Sequence, residues 1–504
     1  MNKIHAPLFP LTACLMAGIA MRSWLPDWEM GIGGLAAAVV VTTLLSRWPR
    51  CQTAGIWLCF LILGMTLGAR KQQCMEIAWP EEPVEMEVVV MGEPAVKERQ
   101  VVLDVLTATG HHLLKLRLQR DEASEQITVG EGLLINTVIK KVHAWESRHF
   151  SYRRYMQCQG FTGEAFVSSS HWRGKEVSLK GLSVIERTRL RFLCWRHQLL
   201  ERYRQWGVSD DAYGVLAAMT LGEKSHIDRQ LRETYSQAGA SHILALSGLH
   251  LMVIYGVIAL LVNWRRIKLL SQVVIVLAIW AFALLTGLSP SILRSASMIS
   301  IYALLAVGNR QRMSVNTLAF AAMVMVIVNP LAIYDMGFQL SAMAVLAIVL
   351  LNPLFYELIP AHVRQRHRWL GSLWGMTTVS ISAQIGTAPL VAYYFGYFAT
   401  YFLLTNYIVI PLATGVLYLT VALLAVSWWP WAAGGMATAL SAVVIFMNHL
   451  LEWVSTLPHC TVEDISITAL QTALLYVMIV CGWVLLRIAS QRLAFHREYN
   501  SSLK

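Results

Sequence analysis

The chain has 504 residues, of which 56% are hydrophobic and only 14% charged, with a mean hydropathy of +0.51. Water-soluble globular domains carry charge on about 25% of their residues, so this composition excludes that class and predicts an integral membrane protein. The formal charge of +11 sits in particular loops, which reads as orientation in a bilayer and not by itself as nucleic-acid binding.

Three apolar segments open the chain, at 8–21, 31–45 and 54–69. No clean small-residue cleavage site follows the first, so it is expected to be a retained span and not a removed signal peptide. A hydrophilic stretch from 70 to 210 comes next. Within it MEVVVMGEPA, VVLDVLTATG, HHLLKLRLQR, LLINTVIKKV and GEAFVSSS show partly alternating or short β-branched patterns between turn residues. Such strands suit a small closed or partly closed barrel, with a small sandwich as the alternative. Ile185, Leu190, Phe192, Leu193, Trp195, Leu199 and Leu200 are then spaced among basic residues. That spacing predicts an amphipathic helix, lying along the membrane or packed on the barrel. Segment 212–221 is apolar but too short to span, and reads as an interfacial or re-entrant helix.

Further candidate spans run at 243–262, 270–287, 291–308, 314–329, 337–353, 371–393, 400–425, 432–450 and 467–487. The expected fold is a polytopic α-helical membrane protein of about 12 spans, with an external small β-barrel domain inserted after the third span. With that count Arg47, Arg50, Arg265, Arg266, Lys268, Arg310, Arg312, Arg364, Arg366, Arg368, Arg492 and Arg497 fall on one side. Glu452, Glu463 and Asp464 fall on the other. The positive-inside bias then puts both termini in the cytoplasm and residues 70–210 outside. None of the eight cysteines has CxxC spacing. Cys14, Cys59 and Cys481 read as small hydrophobes, while Cys74, Cys158 and Cys194 leave room for one disulfide whose pairing the sequence does not choose.

Polar residues gather at one depth in this topology. His242, Ser247, Gly248 and His250 open the fourth span, and Arg294 lies near the outer end of the sixth. Asp335 precedes the eighth, with Gln339 one turn later; Gln384 comes from the ninth and Asn406 and Pro411 from the tenth. Facing lipid, such groups are expensive, so a shared wet cavity is the economical explanation. Arg294 and Asp335 are candidates for mutual neutralisation. The plainer reading has Arg294 snorkelling to headgroups and Asp335 capping a helix that begins near Met336. No HExxH, HxHxDH or Walker A string occurs, so neither a metal, a cofactor nor a catalytic residue is assigned. Ser247 and His250 imitate a nucleophile and base without an identifiable third partner. The chain reads as a conduit; a small-solute or lipid-precursor transporter and an intramembrane Ser/His hydrolase are the alternatives.

SHILALSGLHLMVIYG at 241–256, LTGLSPSILRSASM at 285–298, NPLAIYDMGFQLSAMAVLAIV at 329–349 and AQIGTAPLVAYYFGYFATYFLLTNYIVIPL at 383–412 resemble the ComEC family of bacterial competence DNA-uptake proteins. AAMTLGEKSHIDRQLRETYSQAG at 217–239 resembles that family's entry into its competence domain, and RRYMQCQGFTGEAFV at 153–167 the end of its external domain, which has an OB-type fold. The resemblance implies an inner-membrane channel that conducts single-stranded DNA. It carries importance onto His242, Ser247, Gly248, His250, Arg294, Asp335, Gln339 and Asn406. The expected organisation is an N-terminal membrane segment at 1–69, an OB-like domain at 70–182 and a linker helix at 183–210. A channel core at 211–425 and C-terminal spans with a short tail at 426–504 follow. Longer relatives end in a metallo-β-lactamase-like domain, and this chain is expected to be a short form without it. Expected partners are single-stranded DNA, a periplasmic DNA receptor, a cytoplasmic helicase or ATPase motor, a separate nuclease and membrane lipid. Lys115, Arg117, Arg120, Lys140 and Lys141 are the candidate DNA contacts of the external domain. The 21 Lys and Arg of residues 70–210 are nearly offset by 18 Asp and Glu, and Trp145, Phe150, Tyr152, Tyr155 and Phe161 cluster near its end.

Overall fold

A computed structural model of the chain describes residues 6–502 apart from 26, 148, 177–180, 263–267 and 308–314. The loop residues Arg265, Arg266, Arg310 and Arg312 lie outside the described residues. Helices α1 (Leu8–Ala20), α2 (Trp28–Leu44) and α3 (Pro49–Met75) form an N-terminal bundle. The hydrophilic stretch folds as strands β1 (Val84–Val90), β2 (Ala95–Val96), β3 (Gln100–Thr107) and β4 (Leu113–Gln119). Helix α4 (Glu122–Glu125), β5 (Gly132–Thr137) and the short hairpin β6 (Glu146–Ser147) and β7 (Phe150–Ser151) come next. Helix α5 (Tyr152–Cys158), β8 (Phe161–Val167) and β9 (Trp172–Gly174) complete it.

Alternation along these strands builds the sheet's core. Val88, Val90, Val101, Leu103, Val105, Leu114, Leu116 and Ile135 are fully buried on one face. Val89, Leu106 and Val129 face the other way, onto Leu190 and Leu193 of helix α6 (Val184–Gln205). The expected five strands all form, but the closed barrel does not. The seven-stranded sheet runs β8-β4-β3-β1-β5-β9 with β2 on β3, and its two ends do not pair. Only an isolated bridge between Lys140 and Glu164 approaches closure among the described residues. With short β9 on one edge and β8 on the other, no continuous ladder joins the edges.

Helix α6 begins at a capping box, Ser183 with Glu186, and serves as a strut. Its first half packs on the sheet, while Leu200 and Tyr203 pack into the large helical core. That core surrounds α7 (Asp210–Leu221), every residue of which from Ala212 onward is buried. Segment 212–221 is therefore an interior helix, sealed by protein and not interfacial. Then come α8 (Arg229–Gln237), α9 (Ser241–Leu244), α10 (Gly248–Val262), α11 (Lys268–Leu285), α12 (Pro290–Val307) and α13 (Val315–Val328). The chain closes with α14 (Met336–Tyr356), α15 (Ala361–Arg366), α16 (Arg368–Phe395), β10 (Phe398–Ala399), α17 (Phe402–Val426), α18 (Pro430–Ser455), β11 (Thr461–Val462) and α19 (Ala469–Ser502).

Among the described residues six helices are long and apolar enough to cross a membrane, and not about 12: α2, α3, α14, α17, α18 and the first part of α19. Two physical reasons account for the difference. Helices α1, α10, α11 and α13 are apolar but only 13 to 18 residues long, less than the roughly 20 that cross hydrocarbon. Helix α16 has the length and α12, at 18 residues, falls just short of it, and they interleave Gln384, Arg294 and many serines and threonines among their apolar residues. All eight cysteines are free thiols.

The helices pack in two layers. α10 touches α12, α12 touches α14, α14 touches α16, α16 touches α17, and α17 returns to α10. Outside this closed cycle α11 lies on α10 and α12, α13 on α12 and α14, α19 on α14 and α16, and α18 on α17. The N-terminal bundle rests on α13 through α1.

Candidate functional site

Every helix of the inner cycle carries polar side chains singled out in the sequence. The first break in the pattern is at Ala245–Ser247, where the chain leaves α9 in extended conformation before α10 begins at Gly248. The expected single span at 243–262 is thus two pieces. His250 caps the second piece: its Nδ1 accepts from the Ser247 backbone N–H at 3.1 Å and lies 2.9 Å from Ser247 Oγ. An N–H donor on Nδ1 leaves the ring proton on Nε2, which is buried without a partner among the described residues. A serine nucleophile would need its histidine oriented by a third group, and Nε2 has none. A Cβ on Gly248 would stand 3.4 Å from Ser295 Oγ, so this turn abuts α12. His242 is exposed on α9.

Arg294 and Asp335 meet between α12 and α14. Arg294 Nη1 is 3.9 Å from Asp335 Oδ2, with both residues buried. The same carboxylate oxygen accepts from Phe338 N at 2.9 Å, so Asp335 is also the N-cap of α14. Both sequence readings of Asp335 hold at once. The cation is left short of acceptors: among the described residues Nε and Nη1 of Arg294 have no hydrogen-bond partner, and the guanidinium faces the Phe338 ring at 6.0 Å. One turn on, Gln339 Nε2 donates to Ile333 O at 2.8 Å and Gln339 Oε1 accepts from Tyr394 OH at 2.8 Å, tying α14 to α16.

Gln384 is half-buried on α16. Asn406 lies in the first turns of α17, where its Oδ1 and the neighbouring Thr405 Oγ1 are buried without a partner among the described residues. The hydroxyls of Thr377 and Tyr407 join α16 to α17. Pro389 and Pro411 sit inside unbroken helices, and Pro290 starts one, so the prolines do not interrupt the spans. The structure therefore brings Arg294, Asp335 and Gln339 into one cluster and Ser247 with His250 into a second. Buried groups without partners are costly in any apolar surrounding.

On the sheet domain, three of the five candidate cations are held by carboxylates: Lys115 by Asp104 at 2.7 Å, Arg117 by Glu164 at 3.1 Å and Arg120 by Glu125 at 2.5 Å. Lys140 and Lys141 follow β5, the former bridged through its backbone to Glu164. The sheet domain meets the membrane helices through α5. Cys158 Sγ donates to Leu331 O at 3.2 Å, and Asn329 Nδ2 donates to Cys158 O at 3.1 Å. Burial pushes the Cys158 thiol up to about 12, which keeps it a donor. His149 stacks on Tyr393 at 4.1 Å. The domain thus stands over the ends of α14 and α16 that carry Asp335 and Tyr394.

Sequence reading missed the buried pair Arg196–Glu223, 3.1 Å apart, which fastens α6 to the turn after α7. Its signal is an arginine set in the apolar stripe of α6, three residues after Leu193 and four before Leu200. Tyr394 carried no such signal.

The family described as "Competence protein" matches residues 219–489, which include the whole inner cycle. ComE operon protein 3 of Bacillus subtilis (strain 168) is 24% identical over 282 residues, 56% of this chain and 34% of that protein. An uncharacterized protein of Aquifex aeolicus (strain VF5) is 25% identical over 198 residues, 39% of this chain and 44% of that protein. The matched stretch thus spans less than half the length of either relative. No solved structure matches significantly.

Proposed function

The chain belongs to the competence protein family, and from that premise we propose that its inner cycle of helices conducts single-stranded DNA across a bacterial inner membrane. Six apolar helices and the family membership make it a membrane-associated protein, and a role in handling DNA at the membrane follows from the family. One observation carries the finer reading. Three helices of the cycle bear buried polar atoms without a hydrogen-bond partner among the described residues: His250 Nε2, Arg294 Nε and Nη1, and Asn406 Oδ1. A polymer with a charge on every nucleotide cannot cross hydrocarbon, and needs a wet path with weak contacts at several points. Unsatisfied donors and acceptors lining such a path are satisfied by water and by phosphate in turn.

In this reading a receptor delivers the strand to the face of the membrane helices on which the sheet domain stands. The pulling force comes from a cytoplasmic helicase or ATPase, and a separate nuclease removes the complementary strand. The test is entry of a labelled oligothymidylate into proteoliposomes that enclose a single-strand-binding protein. Arg294→Gln and Asp335→Asn, each checked for a retained cooperative melting transition, should cut entry by about tenfold or more. Wild-type vesicles that pass small solutes while excluding the oligonucleotide would end the proposal in favour of a transporter.

A further inference from the structure

The external end of α3, the β6–β7 hairpin, α5 and the turn at 330–334 enclose a polar pocket of about 220 Å³. Arg22, Arg153 and Arg154 line it, together with Gln157, Glu76 and Glu146. Two of the arginines are pre-oriented by neutral groups. Arg22 donates to Gln72 Oε1 at 2.6 Å and to the Tyr334 hydroxyl, and Arg153 Nε donates to Val142 O at 3.0 Å. Arg22 and Arg154 both lie over the Tyr334 ring, at 4.8 and 5.0 Å from its centroid. Among the described residues none of the three is in an ion pair, unlike Lys115, Arg117 and Arg120 of the sheet. Three cations against two carboxylates leave the pocket with a small positive excess.

Beside it stands an aromatic face. Trp145 meets Phe150 at 6.1 Å and Phe150 meets Tyr155 at 5.8 Å, with Trp145 and Tyr155 exposed. Fixed guanidiniums facing a phosphate-sized space, next to accessible aromatic rings, are the two elements that hold a single strand: a grip on the backbone and platforms for bases. Tyr334 directly precedes Asp335 in the chain, so this site adjoins the Arg294–Asp335 pair.

We infer that Trp145, Phe150, Arg153, Arg154 and Tyr155, with Arg22 and Tyr334, form the reception site for single-stranded nucleic acid, a backbone phosphate resting among Arg22, Arg153 and Arg154 and bases stacking on Trp145 and Tyr155. This rests on the conduit reading and moves first contact away from the sheet face. A net excess of one charge makes the grip weak, which suits a site that must release what it receives.

The test uses the full chain in nanodiscs of neutral lipid, with binding of a fluorescent oligothymidylate measured against salt concentration. Arg153→Gln combined with Arg154→Gln should weaken binding and lower the slope of log affinity against log salt by about 1.4, near 0.7 for each lost contact to a single strand. Trp145→Ala combined with Tyr155→Ala should weaken binding roughly 5- to 150-fold for each base platform lost while leaving that slope unchanged. All four residues are exposed or half-exposed, and matched melting curves confirm the fold. Unchanged affinity and slope in both double variants overturn the inference, even where vesicle entry persists and the conduit stands. Loss of the arginine effect in nanodiscs containing phosphatidylglycerol also overturns it, since a lipid headgroup then fills the pocket. Binding at this site without entry into vesicles keeps the inference and removes the conduit.

Discussion

Arg294 shows how one residue type in one place sets a chemical problem that its neighbours only partly solve. Its cation is buried, its carboxylate partner is 3.9 Å away, and one oxygen of that carboxylate already serves the helix N-terminus. Breaking a buried pair by removing one partner costs about 3–5 kcal/mol, because the remaining charge is left without compensation. Asp335→Ala should therefore destabilise the detergent-solubilised protein by about that amount. Asp335→Asn, which keeps the capping oxygen, should cost less. The double variant Arg294→Met with Asp335→Asn should recover most of the loss. Thermal unfolding decides the matter: equal melting shifts for Asp335→Ala and the double variant would show that the pair contributes nothing. The sequence made the two residues candidates for pairing; it gave no sign that Asp335 is shared between cation and cap.

At the scale of elements, close helix approach depends on residues that periodicity does not mark. α14 and α16 pack so tightly that a Cβ on Gly386 would fall 2.5 Å from Ala347 Cβ and 2.6 Å from Met343 O. Small residues at such seams let backbones approach where no hydrophobic force between helices exists in lipid. Gly386→Val should push the two helices apart and destabilise the fold by about 1–3 kcal/mol. It should also lengthen the Gln339–Tyr394 bridge. Ala347→Gly should reverse that effect in part, the clash with Met343 O remaining, and no rescue at all would mean that the strain lies elsewhere. The same scale explains the interruption before α10. The string LALSGLH reads as continuous in hydropathy, and only the hydrogen bond from Ser247 N–H to His250 reveals the cap.

For the whole molecule, the sheet domain is carried on α6. His197 of α6 bonds to Glu93 of the sheet domain at 3.1 Å, and that hydrogen bond, outweighing partial burial, raises the His197 pKa above its ordinary value near 6.5. Glu201 reinforces the shift and Arg204 opposes it. A raised folded-state value means that the contact stabilises fully below pH 6.5 and fades as pH climbs through the folded pKa. Protection of the sheet–α6 junction in hydrogen exchange should accordingly fall from mildly acidic to alkaline pH. His197→Gln should flatten that profile, and a variant that keeps the wild-type pH dependence would assign it to another group.

Composition, periodicity and local capping are properties of short stretches of chain, and these were legible: the apolar helices, the five strands, the amphipathic strut and the polar residues that interrupt apolar runs. How many helices are long enough to cross a bilayer, whether sheet edges join, and which helices touch depend on lengths and contacts between residues hundreds of positions apart. Alternation tells a strand which face is inward but not which strand will be its neighbour, so the open sheet could not be told from a barrel. Likewise a polar residue in a span announces its own cost without naming the group that meets it; only packing put α10 beside α17, and Arg294 beside Asp335.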